Sequence, residues 1–450
     1  MMSLFDMLAL SVALFVVLNI LARLANKKRL HFAITFFFLA IIFAILLLML
    51  YYKDFGTHMG FINVSQFSLL IAAILTMGMI VVQLIAYEEQ VYTDFSLLSS
   101  FSYTGILLVV MSSNLVTIFI GLALLTVPTV FALLLSRKWI EAGLKYFIVT
   151  ALSASLFAFG AATLFFSTGN LQLSEQVYSL DSLIAFILFI TSISIEAGIF
   201  PFNLWIPDVY QGGPAFITSM LGGLNKKVGL IALIYISILM FPFISQNLLL
   251  MFAVLTMFYG NLAALVQKNV KRILAYSSIS QVGYILIGIS SMSKYGVAAS
   301  TFQIFAHVFA FIGAFAVVTF LERKGRKEVI EYIGLNKENT LASFALSLML
   351  LSMIGMPFTA GFVGKFLLFS SAIYSNLAWL AVLGIINTVI SIYYYAKIII
   401  AVYTNREGTK PVRLGAPISI ALLISIAIIL VFGIYPGPLF NMMQAAAPPL

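Results

Sequence analysis

Six ionisable side chains lie in sequence that is otherwise apolar enough to exclude them. Glu196 sits in SIEAGIFPF (194–202), Lys226 and Lys227 in GGLNKKVGL (222–230), and His307 in FQIFAHVFAF (302–311). Lys365 sits in GFVGKF (361–366) and Lys397 in YYYAK (393–397). An amine, a carboxyl or an imidazole in such surroundings can take up and give back a proton, and placing its charged form in lipid costs about 2.5–3.5 kcal/mol. That cost makes proton or ion movement the first chemistry to consider. Thiolate chemistry is excluded within this chain, because it has no cysteine and so neither a cysteine-held iron–sulfur cluster nor a disulfide. The three histidines, His31, His58 and His307, are too far apart in sequence to suggest a metal or haem site.

Each candidate has a plainer alternative. Glu196 is either a proton-path carboxyl or a hydrogen-bonded group that steadies a helix break. Lys226 and Lys227 project about 100° apart on a helix, so only one can face a given pathway, and Lys227 is the better candidate for packing against a neighbouring helix or cavity wall. Lys365 follows a Gly/Pro interruption and could bind freed carbonyls rather than protons. Lys397 lies near a span end, where a lysine can snorkel to the interface. His307 titrates near neutral pH and suits a relay, but it could equally hold two helices together by a hydrogen bond. The run AYSSISQ (275–281) could hold ordered water or pack helices through small residues. Trp205 and Tyr210 fit an interfacial aromatic belt, and Asp208 fits a helix cap.

The elements that position these groups are transmembrane helices. Of 450 residues 62% are hydrophobic and 9% charged, against about 25% charged in soluble domains. A span needs about 20 apolar residues, and fourteen such stretches run from residue 4 to residue 434. Short loops after odd-numbered spans hold 18 of the 24 Lys and Arg residues, and loops after even-numbered spans hold only Lys53 and Lys294. By the positive-inside rule the odd loops are cytoplasmic and both termini lie on the outer side. The first apolar stretch is long enough to span and is not followed by a cleavage site, so a signal peptide is not expected. The net charge of +9 implies no nucleic-acid partner, because no folded polar domain gathers it.

Two spans are interrupted. The seventh ends at GIFPFN (198–203), with Pro201 and then Pro207, and the twelfth breaks at GMPFTAGFVG (355–364), at Gly355 and Pro357. Both place Gly, one or two residues, then Pro-Phe. They are five spans apart, so a repeat of that length is inverted in the membrane, and paired broken helices in inverted repeats point to an ion pathway. The expected fold is therefore all-α and polytopic, with about 14 transmembrane helices and two inverted five-helix repeats, each with a broken helix. The expected divisions are helices 1–3 at 1–93, a first repeat at 94–240, a second at 241–405 and a last helix at 406–450.

PFNLWIPDVYQGGP (201–214), KNVKRILAYSSISQVGY (268–284) and MPFTAGFVGKF (356–366) resemble the antiporter-like membrane subunits of respiratory complex I. These are related to multi-subunit cation/proton antiporters and membrane-bound hydrogenases. PDVYQG and EAGLKYFIVTALSASLFAFG (141–160) resemble the N subunit (subunit 2 in mitochondria), and the likeness covers about residues 95–405. It implies a proton-translocating subunit of a quinone oxidoreductase, in a prokaryotic cell membrane. Its partners would be antiporter-like M and L subunits and small K-, J- and A-type subunits. Flavin, iron–sulfur clusters and quinone would belong to partner chains, with none in this one. The alternatives are an antiporter or hydrogenase subunit, and a non-pumping assembly scaffold.

The resemblance also implies a path of a Glu on span five and lysines on spans seven and eight, ending at a Lys or Glu on span twelve. The last two positions fall on Lys226, nineteen residues past Pro207, and on Lys365. The first two do not transfer: Ala123, in IGLALLTVP (120–128), stands at the glutamate position, and Glu196 stands where the lysine is usual. Glu196 and Lys226 would then form the two-helix pair with reversed polarity.

Overall fold

The computed structural model describes residues 3–448 apart from Asn26, Met59, Glu175, Val177, Tyr178 and Thr409. It is a polytopic all-α membrane protein. In chain order the helices are α1 (Leu4–Ala25), α2 (Lys28–Tyr52), α3 (Gln66–Ala86), α4 (Tyr92–Val110), α5 (Leu115–Leu133), α6 (Ile140–Thr168) and α7 (Leu180–Ala197). Next come α8 (Trp205–Gly212), α9 (Ala215–Met220), α10 (Lys226–Ile234), α11 (Pro242–Leu265), α12 (Val270–Ser290), α13 (Lys294–Glu322) and α14 (Leu335–Glu338). The last are α15 (Thr340–Ile354), α16 (Ala360–Tyr374), α17 (Ala378–Tyr403), α18 (Ala416–Ile434) and α19 (Gly437–Ala446). Among the described residues 13 helical stretches are long and apolar enough to cross a membrane. The twelfth span, read from sequence as interrupted at 355–364, is the short pair α15 and α16. A two-stranded hairpin, Gly56–His58 with Ile62–Val64, links α2 to α3.

The chain forms two compact units, Met1–Ala197 with Leu224–Pro242, and Gly198–Gly223 with Phe243–Leu450. In the first, α4 packs on α5 with glycines in contact: a Cβ on Gly105 would lie 2.5 Å from the Leu125 nitrogen, and one on Gly121 would lie 2.9 Å from the Val109 nitrogen. Such small-residue crossings bring helices close in lipid, where apolar side chains gain little by leaving the solvent. In the second unit the central 18-residue stretches of α12 and α13 are wholly enclosed by the chain, so neither presents a lipid-facing stripe there.

Both sequence-read breaks end a helix in the same way. Gly198 follows α7 with φ +73° and Gly355 follows α15 with φ +95°, the left-handed conformation that glycine adopts most cheaply after a helix C-terminus. Pro201 and Pro357 lie in the non-helical residues beyond, and Pro207 sits in the first turn of α8, where its missing N–H costs nothing. The span read as 213–238 is a helix of four pieces: α9, a π-helical segment Leu221–Asn225, α10 and a second π segment Tyr235–Met240. Each π turn is an inserted residue, a feature common at functional sites, and the first directly precedes Lys226.

Three sequence expectations change here. Asp208 caps no helix: it lies inside α8 and accepts from Arg272 at 2.8 Å. Trp205 and Tyr210 form no lipid-facing belt, since both are buried; Tyr210 packs edge-on against Phe311 and Phe315. Amphipathic rings favour the interface only when the helix turns them outward, and α8 turns Tyr210 toward α13 and buries Trp205.

Glu322, at the end of α13, holds the start of α9. Its carboxylate accepts from the Ala215 backbone N–H at 2.7 Å and from Lys271 Nζ at 2.5 Å, while Lys271 also donates to the Gly213 carbonyl at 2.7 Å. Lys271 is buried, and removing one partner of such a pair strands the other. Glu322→Ala is expected to cost about 2 kcal/mol, less than a fully enclosed pair because Glu322 is partly exposed. A melt of the purified assembly checks this, and an unchanged midpoint would mean that water replaces the carboxylate.

Candidate functional site

Glu196, Lys226 and Lys227 lie in the first unit. Glu196 occupies the last turn of α7, 7% exposed, and its carboxyl meets the Ser153 hydroxyl from α6. Ser153 is itself tied to Ser192 on α7, its hydroxyl 3.0 Å from that of Ser192. A carboxylate here stands at the negative end of the α7 dipole, where a cation would be favoured. Lys226 and Lys227 open α10, 1% and 0% exposed. The α7 and α10 backbones approach closely because residue 229 is glycine: a Cβ there would lie 3.0 Å from the Ala197 nitrogen and 3.3 Å from the Glu196 carbonyl carbon. Glu196 and Lys226 are thus placed on one tightly packed helix pair, Glu196 at this contact and Lys226 one turn from it. Asn225, next to Lys226, donates to Thr129 Oγ1 at 2.9 Å on α5. Among the described residues Lys227 Nζ has no hydrogen-bond partner. Ala123 lies half-buried on α5.

Lys365, His307 and Lys397 lie in the second unit. The backbone carbonyls freed at the end of α15 are accounted for: Leu351 accepts from Gly355 and Met356 N–H, Met353 from Gln281 Nε2 at 3.0 Å, and Ile354 from Lys365 Nζ at 2.9 Å. Lys365, 4% exposed, therefore does bind a freed carbonyl. It also stands 4.4 Å from the centre of the Tyr284 ring and 3.5 Å from Thr388 Oγ1. A residue that both closes a helix break and stacks its ammonium on an aromatic face is held in one position.

His307 is buried in α13, its ring 5.4 Å from that of Phe311 and inclined to it by 25°. One turn earlier Gln303 donates to Gln281 at 2.9 Å, linking α13 through α12 to the α15 terminus. Lys397 reaches the Gln267 carbonyl at 3.5 Å and lines a cavity of about 450 Å³ with Lys268, Glu328, Ile333 and Thr404. Among the described residues no group of three or more His, Asp or Glu is placed to hold a metal ion.

Sequence reasoning missed Ser153, Asn261, Tyr284, Thr388 and Tyr394. Asn261 donates to the Asn387 carbonyl at 2.8 Å and accepts from Tyr394 at 2.8 Å. The available signal was the pair of buried amides inside apolar spans, Asn261 and Asn387, since a polar group in a span needs a partner.

The sequence model of the family described as "NADH:quinone oxidoreductase/Mrp antiporter, TM" matches residues 112–391. The chain belongs to this family. The matched region contains Glu196, Lys226, Lys227, His307 and Lys365, and ends before Lys397. NADH-quinone oxidoreductase subunit N of Moorella thermoacetica is 35% identical over 361 residues, covering 76% of this chain and 75% of that protein. F(420)H(2) dehydrogenase subunit N of Methanosarcina mazei is 33% identical over 387 residues, covering 80% and 78%. A chain of respiratory complex I from Thermus thermophilus with bound aureothin superposes with a TM-score of 0.85 at 27% identity, covering 98% of this chain and 99% of that one. The N-subunit resemblance read from PDVYQG and its companion motifs is borne out.

Proposed function

We propose that this chain is a proton-translocating membrane-arm subunit of a complex I-like quinone oxidoreductase. Membership of the family supports the setting, and one observation carries the mechanism. Glu196, Lys226, Lys227 and Lys365 are all nearly inaccessible inside membrane helices, where ionisable groups are retained chiefly for ion or proton movement. Electrons pass in partner chains that hold the flavin, iron–sulfur clusters and quinone. This chain answers them by moving protons among its buried side chains. Its partners are the other antiporter-like and small subunits of the membrane arm. It lies in a prokaryotic cell membrane with both termini outside, which the loop distribution of Lys and Arg supports. The two inverted repeats, 94–240 and 241–405, each carry one Gly-terminated break.

Within the first unit, Glu196 and Lys226 act as the charge pair that the family carries with opposite polarity. Moving a proton onto or off one alters the proton affinity of the other through the Coulomb interaction. Lys226 is the central carrier. Lys365 has the matching role in the second unit, and His307 serves as a relay. Lys227 and Lys397 are accessory, the latter at the cavity mouth. A second reading is favoured by Ala123 at the usual glutamate position: a scaffold whose input half is lost. The antiporter reading draws on the other half of the family description.

The test is the number of protons moved per electron by the whole purified complex in proteoliposomes, wild type against Glu196→Gln. The expected result is a lower ratio with electron flow continuing. An unchanged ratio removes Glu196 from the path and favours the scaffold reading.

A further inference from the structure

We propose that Thr388, Tyr284 and Tyr394, aligned by Asn261, form a proton-transfer ladder between Lys365 and the Lys397 end of the second unit. This deepens the function proposed above and rests on it. The ladder starts where Lys365 Nζ lies 3.5 Å from Thr388 Oγ1. Thr388 donates to the Tyr284 hydroxyl at 3.2 Å. Asn261 Nδ2 approaches the same hydroxyl at 3.5 Å, and Asn261 Oδ1 accepts from Tyr394 at 2.8 Å. Beside Tyr394, Tyr395 shares a hydrogen bond with Ser277, so AYSSISQ ties α12 to α17 next to the ladder. One turn past Tyr394, Lys397 lines the 450 Å³ cavity. Four helices, α11, α12, α16 and α17, thus supply one line of polar groups running from a helix break to a cavity.

Two features set this line apart from an ordinary buried polar network, which is stable when every member is satisfied. Lys365 has no carboxylate partner among the described residues, so its charge is not neutralised in place. Asn387, next to Thr388 and fully buried, has neither its amide nitrogen nor its amide oxygen hydrogen-bonded among the described residues. Such a group, next to Thr388 and with its backbone carbonyl bound by Asn261, offers polar contacts that hold a bridging water.

The transfer balances without any group ending charged except the lysine. Thr388 gives its hydroxyl proton to the neutral Lys365 amine and takes one from Tyr284. Tyr284 takes one from a water bridging it to Tyr394, that water takes one from Tyr394, and Tyr394 is resupplied from the Lys397 ammonium through cavity water. One proton leaves the Lys397 ammonium, which becomes a neutral amine, and one arrives at Lys365, which becomes the ammonium. Asn261 does not ionise; it is a positioning residue that holds the two tyrosine hydroxyls.

The experiment measures protons per electron and coupled turnover of the whole complex in proteoliposomes for Lys365→Met, Tyr284→Phe, Tyr394→Phe and Thr388→Val. Assembly of each variant is checked by the intact complex on a native gel. Each phenylalanine keeps its ring, which at position 284 faces Lys365, and deletes only the hydroxyl. The expected result is that Tyr284→Phe and Tyr394→Phe reproduce the loss seen in Lys365→Met, and that solvent deuteration slows wild-type turnover more than theirs. If Lys365→Met lowers the ratio while both tyrosine variants match wild type, the ladder is overturned and pumping through Lys365 stands. If Lys365→Met itself matches wild type, both the ladder and the role of Lys365 fall. Should one tyrosine variant fail to assemble, the other and Thr388→Val give the same reading.

Discussion

Lys226→Ala in the assembled complex is expected to lower coupled turnover by about 100-fold, the lower range for removing a positioned proton carrier. Lys226 is 1% exposed at the start of α10, immediately after a π segment, with α7 and Glu196 packed against the same helix through Gly229. A water molecule does not readily replace an amine at a point so enclosed. Lys226→Arg separates a carrier from a fixed charge. Arginine keeps the positive charge and cannot be deprotonated in a protein, so a carrier role leaves the arginine variant as impaired as the alanine one. A structural charge would instead be rescued by arginine. Proton uptake by vesicles during quinone reduction measures both, and wild-type ratios in both variants would establish that this copy scaffolds its neighbours without pumping.

The second large effect concerns packing. Gly283→Val is expected to destabilise the second unit by more than about 3 kcal/mol, beyond the usual 1–3 kcal/mol of an overpacked core. A Cβ at Gly283 would lie 2.5 Å from the Met257 nitrogen and 2.9 Å from the Ala253 carbonyl oxygen on α11. The contact is reciprocal, since a Cβ at Gly260 would lie 2.5 Å from the Ser280 nitrogen and 2.8 Å from the Tyr276 carbonyl oxygen. These obstacles are backbone atoms, which cannot rotate aside, so α11 and α12 must separate. Separation also pulls Asn261 away from Tyr284, so whatever protein survives should share the transport defect of Tyr284→Phe. The measurement is accumulation of the chain in membranes and the melting temperature in detergent. Gly437→Ala is the control, because a Cβ there meets nothing within 4 Å. Equal accumulation of Gly283→Val and Gly437→Ala would mean that the α11–α12 crossing tolerates widening.

The spans were legible because lipid imposes a length rule on every helix that crosses it. The two breaks were legible for a related reason. A glycine that must turn left-handed after a helix, followed by a proline that cannot continue it, is a local backbone requirement, and Gly198 and Gly355 both meet it. Lys226, Lys365 and Glu196 stood out because a charge in an apolar run is costly wherever the run folds. The family followed from long motifs that need no three-dimensional information.

What the sequence left open turns on which faces meet. In lipid, the residues facing the solvent and those facing a neighbouring helix are equally apolar, so no periodic stripe marks the inside. Trp205 and Tyr210 therefore read as interfacial although α8 turns them inward, and Asp208 read as a cap although its partner, Arg272, is 64 residues away. Tyr284, Asn261 and Tyr394 are ordinary residues in three separate spans until packing brings their polar ends together. By itself the sequence determined the solvent, the spans and their two Gly/Pro breaks, the family and the buried charges, because each follows from local composition or from a long motif. Only the tertiary structure decided what those charges touch. A carbonyl freed at Ile354, a tyrosine ring on α12 and a threonine on α17 meet at Lys365 because helices distant in sequence pack around it, and nothing in their spacing along the chain encodes that meeting.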